Sequence, residues 1–273
     1  MNPFTAACVQ MTSSGDVDEN ISSASALIRE AHSQGATFIL TPEMTNIIDQ
    51  SSGLWDKISP PEVCPSIAAF EALAAELNIW LLIGSLAVKV GERKAANRSF
   101  LFNPDGHIAA QYDKAHMFDV DLSGGESYRE SRTYEAGRDM VTADLPWGRL
   151  GLSICYDLRF PALYRALAKA GADFLTVPSA FTRQTGEAHW HILNRARAIE
   201  TGCFVIAPAQ TGRHWNGRET YGHSLIIDPW GKVLADGGTD IGIVLAEIDP
   251  AEVAKARGRI PSLSHDREYQ LPN

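Results

Sequence analysis

Cysteine is scarce in this chain, and none of it is paired by spacing: Cys8, Cys64, Cys155 and Cys203 lie far apart, with no CxxC among them. That argues against a disulfide scaffold or a zinc ribbon, and four reduced thiols are expected. No stretch approaches the 18 or so apolar residues of a membrane span, and the opening MNPFTAACVQM lacks the basic segment and long apolar core of a secretory leader. The expectation is a soluble cytoplasmic protein. Positive charge is also in short supply, with 24 Lys and Arg against 33 Asp and Glu for a net charge of -9. Neither a nucleic acid nor another polyanion is therefore an expected partner. GxGxxG and P-loop patterns are missing, so no nucleotide is implied, and so is the lipase-type GxSxG.

What the chain does have is a repeating supply of short apolar runs. They begin at Phe4 (FTAACVQM), Ala36 (ATFILTPE), Ile79 (IWLLIGSLAV), Arg98 (RSFLFNPDG), Leu150 (LGLSICYD), Asp173 (DFLTVPSA), Cys203 (CFVIAPAQ), His223 (HSLIIDPWG) and Ile243 (IVLAEIDP). β-Branched and aromatic residues dominate them, which predicts strands, and several are continuous rather than alternating, which predicts a sheet covered on both faces. Helical patterns lie between them, at 17–33, 66–77, 161–170 and 187–201. The first carries an apolar stripe at Ile21, Ala24, Leu27, Ile28 and Ala31. Asn103-Pro-Asp-Gly and Asp228-Pro-Trp-Gly read as hairpin turns. Strands and helices alternate across all 273 residues without a linker or convincing repeat, so one α/β domain is expected. The exception is 118–137, polar, aperiodic and containing Gly124-Gly125, which is expected to be a functional loop.

In open α/β folds the reactive groups gather at the carboxyl ends of strands. Three runs end there in chemistry: ATFILTPE delivers Glu43, LGLSICYD delivers Cys155, and DFLTVPSA leads into Ser179 and Phe181. Read singly, each has an ordinary explanation. Cysteine is among the most buried residue types, a carboxylate at a strand end needs only water, and Lys114 and Glu130 read as surface residues. A nucleophilic cysteine needs a base, because a thiol of pKa about 8.5 is only slightly ionised at neutral pH. His116, His189, His191, His214 and His223 are available, yet none follows a strand end in a base-presenting turn. A desolvated carboxylate is the other option. His189 and His191 do not suggest zinc, since residues two apart on a helix face different ways.

Taken together, Glu43 after ILTP, Lys114 in YDK, Glu130 in ESRTYEAG and Cys155 in SICYDLRFP resemble the Glu-Lys-Glu-Cys constellation of the nitrilase, or carbon-nitrogen hydrolase, superfamily. The resemblance runs from AACVQMTSSGDVDENI to YGHSLIIDPWGKVLAD. Within it the stretch from Pro178 to His214 and the following Tyr221-Gly-His-Ser look like the Nit amidase branch, nearer to deaminated glutathione amidases than to ω-amidases acting on α-ketoglutaramate. A true nitrilase and a non-enzymatic binding protein are the remaining alternatives.

The resemblance implies a four-layer α-β-β-α sandwich that assembles as a homodimer or larger homo-oligomer, and a cysteine-dependent hydrolase of a small-molecule amide that needs no metal or cofactor. It implies Cys155 as nucleophile, Glu43 as base, Lys114 with the Tyr156 backbone N–H as oxyanion donors, and Glu130 in support. Ser179, Phe181, Trp190 and Arg183 are the further candidates for lining the substrate pocket, with Arg183, Arg195 and Arg213 as candidate cations for an acidic substrate. The tail, about 259–273, is expected to dock on the body or on a partner subunit.

Overall fold

The structure is a computed structural model and describes residues 2–268 and 270. Two sheets lie face to face. The first has seven strands, six of them in the spatial order Gly242–Ile248, Phe4–Gln10, Phe38–Leu40, Trp80–Gly91, Lys94–Phe102 and Ile108–Asp113. The second has six, in the order Val233–Asp236, Leu225–Ile227, Phe204–Ala207, Phe174–Thr176, Gly148–Gly151 and Thr142–Leu145. Each sheet has a parallel three-stranded centre, Phe4–Gln10 with Phe38–Leu40 and Trp80–Gly91 in one, Gly148–Gly151 with Phe174–Thr176 and Phe204–Ala207 in the other. Antiparallel strands flank both centres.

The continuous apolar runs are explained by what covers each face. On the first sheet Ala6, Cys8, Phe38, Leu40, Leu82 and Leu101 point at the second sheet, while Ala7, Val9, Ile39, Leu81, Ile83 and Phe100 pack under the helices Val17–Ser33 and Pro65–Leu77. The period-2 alternation is present, but both phases are apolar because both are buried. The second sheet meets the first through Phe174, Phe204 and their neighbours, and the helices Pro161–Lys169 and Arg183–Thr201 cover its far side with Tyr164, Leu167, Trp190 and Ala198. The result is a four-layer α-β-β-α sandwich. Phe4 stacks on Trp147 at 4.1 Å between ring centroids and meets Phe174 edge-on at 5.6 Å, tying the two sheets together.

Helix ends follow local chemistry. Asp16 caps Val17–Ser33 by accepting from Glu19 N at 2.9 Å. The helix expected from residue 187 begins at Arg183, because Thr182 caps it and the first turn, Arg183-Gln184-Thr185-Gly186, carries no apolar stripe to reveal it. Asn103-Pro-Asp-Gly and Asp228-Pro-Trp-Gly both turn antiparallel pairs, with Gly106 and Gly231 in the left-handed region. The 118–137 segment is more regular than its sequence suggests. Asp119–Asp121 pairs with Ser127–Arg129, closed by an Arg129–Asp121 ion pair, and Tyr134–Glu135 joins the first sheet beside Lys94–Phe102.

Ala251–Arg259 forms a helix that no periodicity announced. Of the expected tail, Leu263 packs against the main core, Arg165 donates to Ser262 O at 2.9 Å, and Arg165 and Lys169 pair with Asp266. Residues 269 and 271–273 lie outside the described residues. Among the described residues no helix is long and apolar enough to cross a membrane.

Candidate active site

Glu43, Lys114 and Cys155 come from three strands far apart in sequence, and the packing of one sheet on the other brings their ends together. Glu43 lies three residues past the strand Phe38–Leu40, Lys114 directly follows Ile108–Asp113, and Cys155 lies four residues past Gly148–Gly151. At Gly84 the sheets approach so closely that a Cβ would stand 1.9 Å from Thr41 O and 2.3 Å from Pro178 Cβ. A side chain there would wedge apart the strand that leads to Glu43 and the backbone that holds Cys155.

Lys114 is buried between two carboxylates, its Nζ donating to Glu43 Oε1 at 2.8 Å and to Glu130 Oε1 and Oε2 at 3.0 and 2.8 Å. Asn97 Nδ2 donates to both, 2.9 Å to Glu43 and 3.1 Å to Glu130. The remaining Glu43 oxygen accepts from Ala180 N at 2.9 Å, and Glu130 Oε2 also accepts from Phe118 N at 2.6 Å. Every carboxylate oxygen of the cluster thus has a donor, which is what lets such charges exist away from water. Burial works to raise the Glu43 carboxyl, but the charge and hydrogen bond of Lys114, the charge of Arg218 and the Cys155 thiol outweigh it and hold the group below its usual value. Burial works against the Lys114 charge in the same way, and Glu130 and Glu43 overcome it to hold the ammonium well above its usual pKa.

Cys155 opens a 3-10 turn, Cys155–Arg159, with φ +48. This left-handed conformation is unfavourable for a side chain with a Cβ. The elbow is held on both sides. Cys155 N donates to Pro178 O at 3.0 Å, and the buried Asp157 accepts from Ile154 N at 2.9 Å, Tyr112 Oη at 2.7 Å and His116 N at 3.0 Å. The thiol shares a cavity with Glu43, and burial, reinforced by the Glu43 charge, pushes its pKa far up. At neutral pH the site therefore holds an ionised carboxylate, an ammonium and a protonated thiol.

These groups line a cavity of about 400 Å³ together with Met44, Tyr128, Arg132, Tyr156, Phe181 and Arg218, among others. Tyr156 and Phe181 thus line the same cavity as Cys155. Ser179 does not: it is fully buried, with its Oγ donating to Val177 O at 3.0 Å, because the strand end turns it toward its own backbone. Trp190 lies behind the wall rather than in it, fully buried, 5.0 Å from the Phe181 ring centroid and bonded to His223 O. Arg183 is at the surface, its side chain 64% exposed and paired with Glu187 and Glu219, since it opens the helix on the solvent side. Arg195 donates to Gly231 O and Arg213 is exposed.

The five histidines that were candidate bases are all engaged away from the cavity. His116 Nδ1 is 2.7 Å from Asp157 Oδ1, His189 is against Arg159, and His214 is between Ser13 O and Thr220 Oγ1. His191 and His223 meet the two oxygens of Asp236 at 2.9 and 2.8 Å.

A buried cysteine beside a carboxylate and an ammonium can be compared with known proteins. The carbon-nitrogen hydrolase family model matches residues 5–258. The chain belongs to that family. A deaminated glutathione amidase from Synechocystis is 43% identical over 270 residues, covering 97% of this chain and 98% of the relative. The crystal structure of the C. elegans NitFhit protein superposes with a TM-score of 0.90 at 38% identity, covering 98% of this chain and 66% of that one. Nit3 of Saccharomyces cerevisiae, a member of the nitrilase superfamily, superposes at 0.85 and 30%, covering 95% and 94%.

Two residues of this carbon-nitrogen hydrolase's site, Asn97 and Arg218, escaped the sequence reading. Asn97 sits one residue before the run that begins at Arg98, on a strand that starts at Lys94. Asp157, two residues past Cys155 on the same turn, braces the elbow. Arg218 comes from the turn between Thr211–Arg213 and Glu219–Tyr221, where Trp-Asn-Gly-Arg offers no pattern to read.

Proposed function

We propose that this carbon-nitrogen hydrolase cleaves the amide of a small carboxylic acid through a thioester on Cys155, with deaminated glutathione as the substrate and metabolite repair as its role. The observation that carries the mechanism is that Glu43, held ionised by its bond to Lys114, lines the same cavity as the buried Cys155 thiol. Glu43 takes the thiol proton as sulfur attacks the carbonyl carbon. The oxyanion that forms is met by Lys114 Nζ and by the Tyr156 N–H, which stands at the start of its 3-10 turn where backbone donors lack partners within the turn. Collapse breaks the carbon–nitrogen bond, with Glu43 handing its proton to the leaving amine, and a water deprotonated by Glu43 then hydrolyses the thioester. Glu130 and Asn97 keep Lys114 and Glu43 oriented throughout.

The substrate assignment draws its support from the relatives, among them the Synechocystis protein, similar over nearly its whole length and named deaminated glutathione amidase. Comparing kcat/KM for deaminated glutathione and α-ketoglutaramate, with Cys155→Ala as the blank, tests it. A preference for the former of about tenfold, or roughly 1.4 kcal/mol of differential transition-state binding, is expected; the reverse preference would reassign the enzyme as an ω-amidase. The four free thiols support a reducing compartment such as the cytoplasm. Ile192 and Ile199, 69% and 52% exposed on the helix Arg183–Thr201, support a homo-oligomer formed through that helix.

A further inference from the structure

The charged side chains of the cavity are mostly spoken for. Glu43, Lys114 and Glu130 satisfy one another, Arg129 is forked onto Asp121 at 2.8 and 2.9 Å, and Asp49 holds Lys57 at 2.8 Å. Among the described residues lining the cavity, the arginines that pair with no carboxylate are Arg218 and Arg132. Arg218 is the one that is built in. Its Nη2 donates to Ala180 O, its guanidinium carbon lies 5.4 Å from the centroid of the Tyr128 ring, and its Nε is buried without an acceptor. Ala180 is also the residue whose N–H holds Glu43, and the Arg218 charge is close enough to help keep that carboxyl ionised.

A guanidinium held on two sides, with donors left over, is preorganised for a planar anion, and a buried donor without a partner is retained only against a cost. The catalytic cluster itself carries one positive and two negative charges, so an acidic substrate entering it needs a compensating cation. We propose that Arg218 is the carboxylate-binding residue of the substrate pocket, holding a carboxylate of the amide substrate while Cys155 attacks the carbonyl. This rests on the amide-hydrolase reading above.

The test uses the full chain as wild type, Arg218→Met and Arg218→Lys, with three amides of similar length. Pentanamide is neutral, glutaramate carries a carboxylate on the acyl side, and N-pentanoylglycine carries one on the amine side. Arg218→Met is expected to lower kcat/KM for one of the acids about 10- to 100-fold more than for pentanamide, with partial recovery in Arg218→Lys. The acid affected identifies which end of the substrate the arginine holds. Equal losses on all three amides, or none, overturn the assignment.

Protection of Cys155 from iodoacetamide by glutarate supplies a readout that needs no turnover. It is expected in wild type and weakened about tenfold or more in Arg218→Met. If wild type cleaves none of the amides while glutarate still protects through Arg218, the reaction falls and the subsite stands. If wild type cleaves them and Arg218→Met treats acid and neutral amides alike, with unchanged protection, the subsite falls and the reaction stands.

Discussion

Of the polar triads on this molecule, two invert one another. In the cavity an ammonium is flanked by two carboxylates, its side chain 2% exposed and those of Glu43 and Glu130 5% and 11%. Near the surface a carboxylate, Asp236, is flanked by two imidazoles, with side-chain exposures of 35% for the acid and 33% and 23% for His191 and His223. Hydrogen-bond lengths are similar in both. The difference is water: the inner charges have only each other, Asn97 and backbone N–H groups to replace it, so they lock each other's ionisation, whereas the outer group remains partly hydrated and its interactions are screened. A short ion pair is therefore no guide to its importance until its burial is known.

The largest effect that would test this contrast is on turnover. Cys155→Ala is expected to reduce kcat by about 10⁴-fold or more while leaving the fold intact, since only a sulfur is lost from a site held by backbone contacts; a smaller loss, measured on any amide substrate, would remove Cys155 from the mechanism.

Next comes stability. Lys114→Met strands two buried carboxylates, and the loss of one partner from a buried ionic cluster costs about 3–5 kcal/mol. At about 2–4 °C per kcal/mol for a chain of this size, a fall in Tm of roughly 6–20 °C is expected in thermal melts at pH 7. A change as small as that of a surface pair would mean that water reaches the cluster.

The pH profile sharpens the same point. With the Glu43 carboxyl held below its usual value and Lys114 above its own, neither changes charge in the neutral range. The kcat/KM is expected to vary less than about twofold between roughly pH 6 and 9, falling only as acid approaches the carboxylate range, about 4.3 or lower. A limb near about 6.5 would instead point to a histidine base.

The smallest effect belongs to the outer triad. Burial works to raise the Asp236 carboxyl, but bonds from His191, the Gly238 backbone and His223 outweigh it and hold the group below the ordinary carboxylate range. A depressed acid contributes stability above its unfolded pKa of about 3.9 and loses it as pH falls through the folded value. Asp236→Asn is thus expected to lower Tm by about 2 °C or less at pH 7, with the gap to wild type closing on acidification and activity within about twofold. A gap that widened in acid would reverse the sign and refute the linkage.

Much of this arrangement was legible before any coordinates. The helix Val17–Ser33 was readable to the residue because its apolar stripe runs along it. Glu43 and Cys155 were readable because each ends a run of buried strand. Lys114 and Glu130 were not readable from local pattern, as each has the surroundings of a surface residue and only resemblance to a family drew them in. Trp190 and Arg183 show the opposite failure: both lie in the segment that carries the branch resemblance, yet Arg183 opens its helix at the solvent end while Trp190 stands two turns further in, so one landed in solvent and the other in the core.

The sequence by itself determined the layers, through apolar runs of strand length alternating with helical stripes, and the chemical identity of the groups at the strand ends. Only the tertiary structure decided which of those groups share a cavity, because the partners of Glu43 lie 54, 71 and 137 residues away and meet it only once two sheets have packed. It also decided which charges are locked and which are free to titrate, since that depends on how much water is left around them, and water exclusion is a property of the packed fold rather than of any residue.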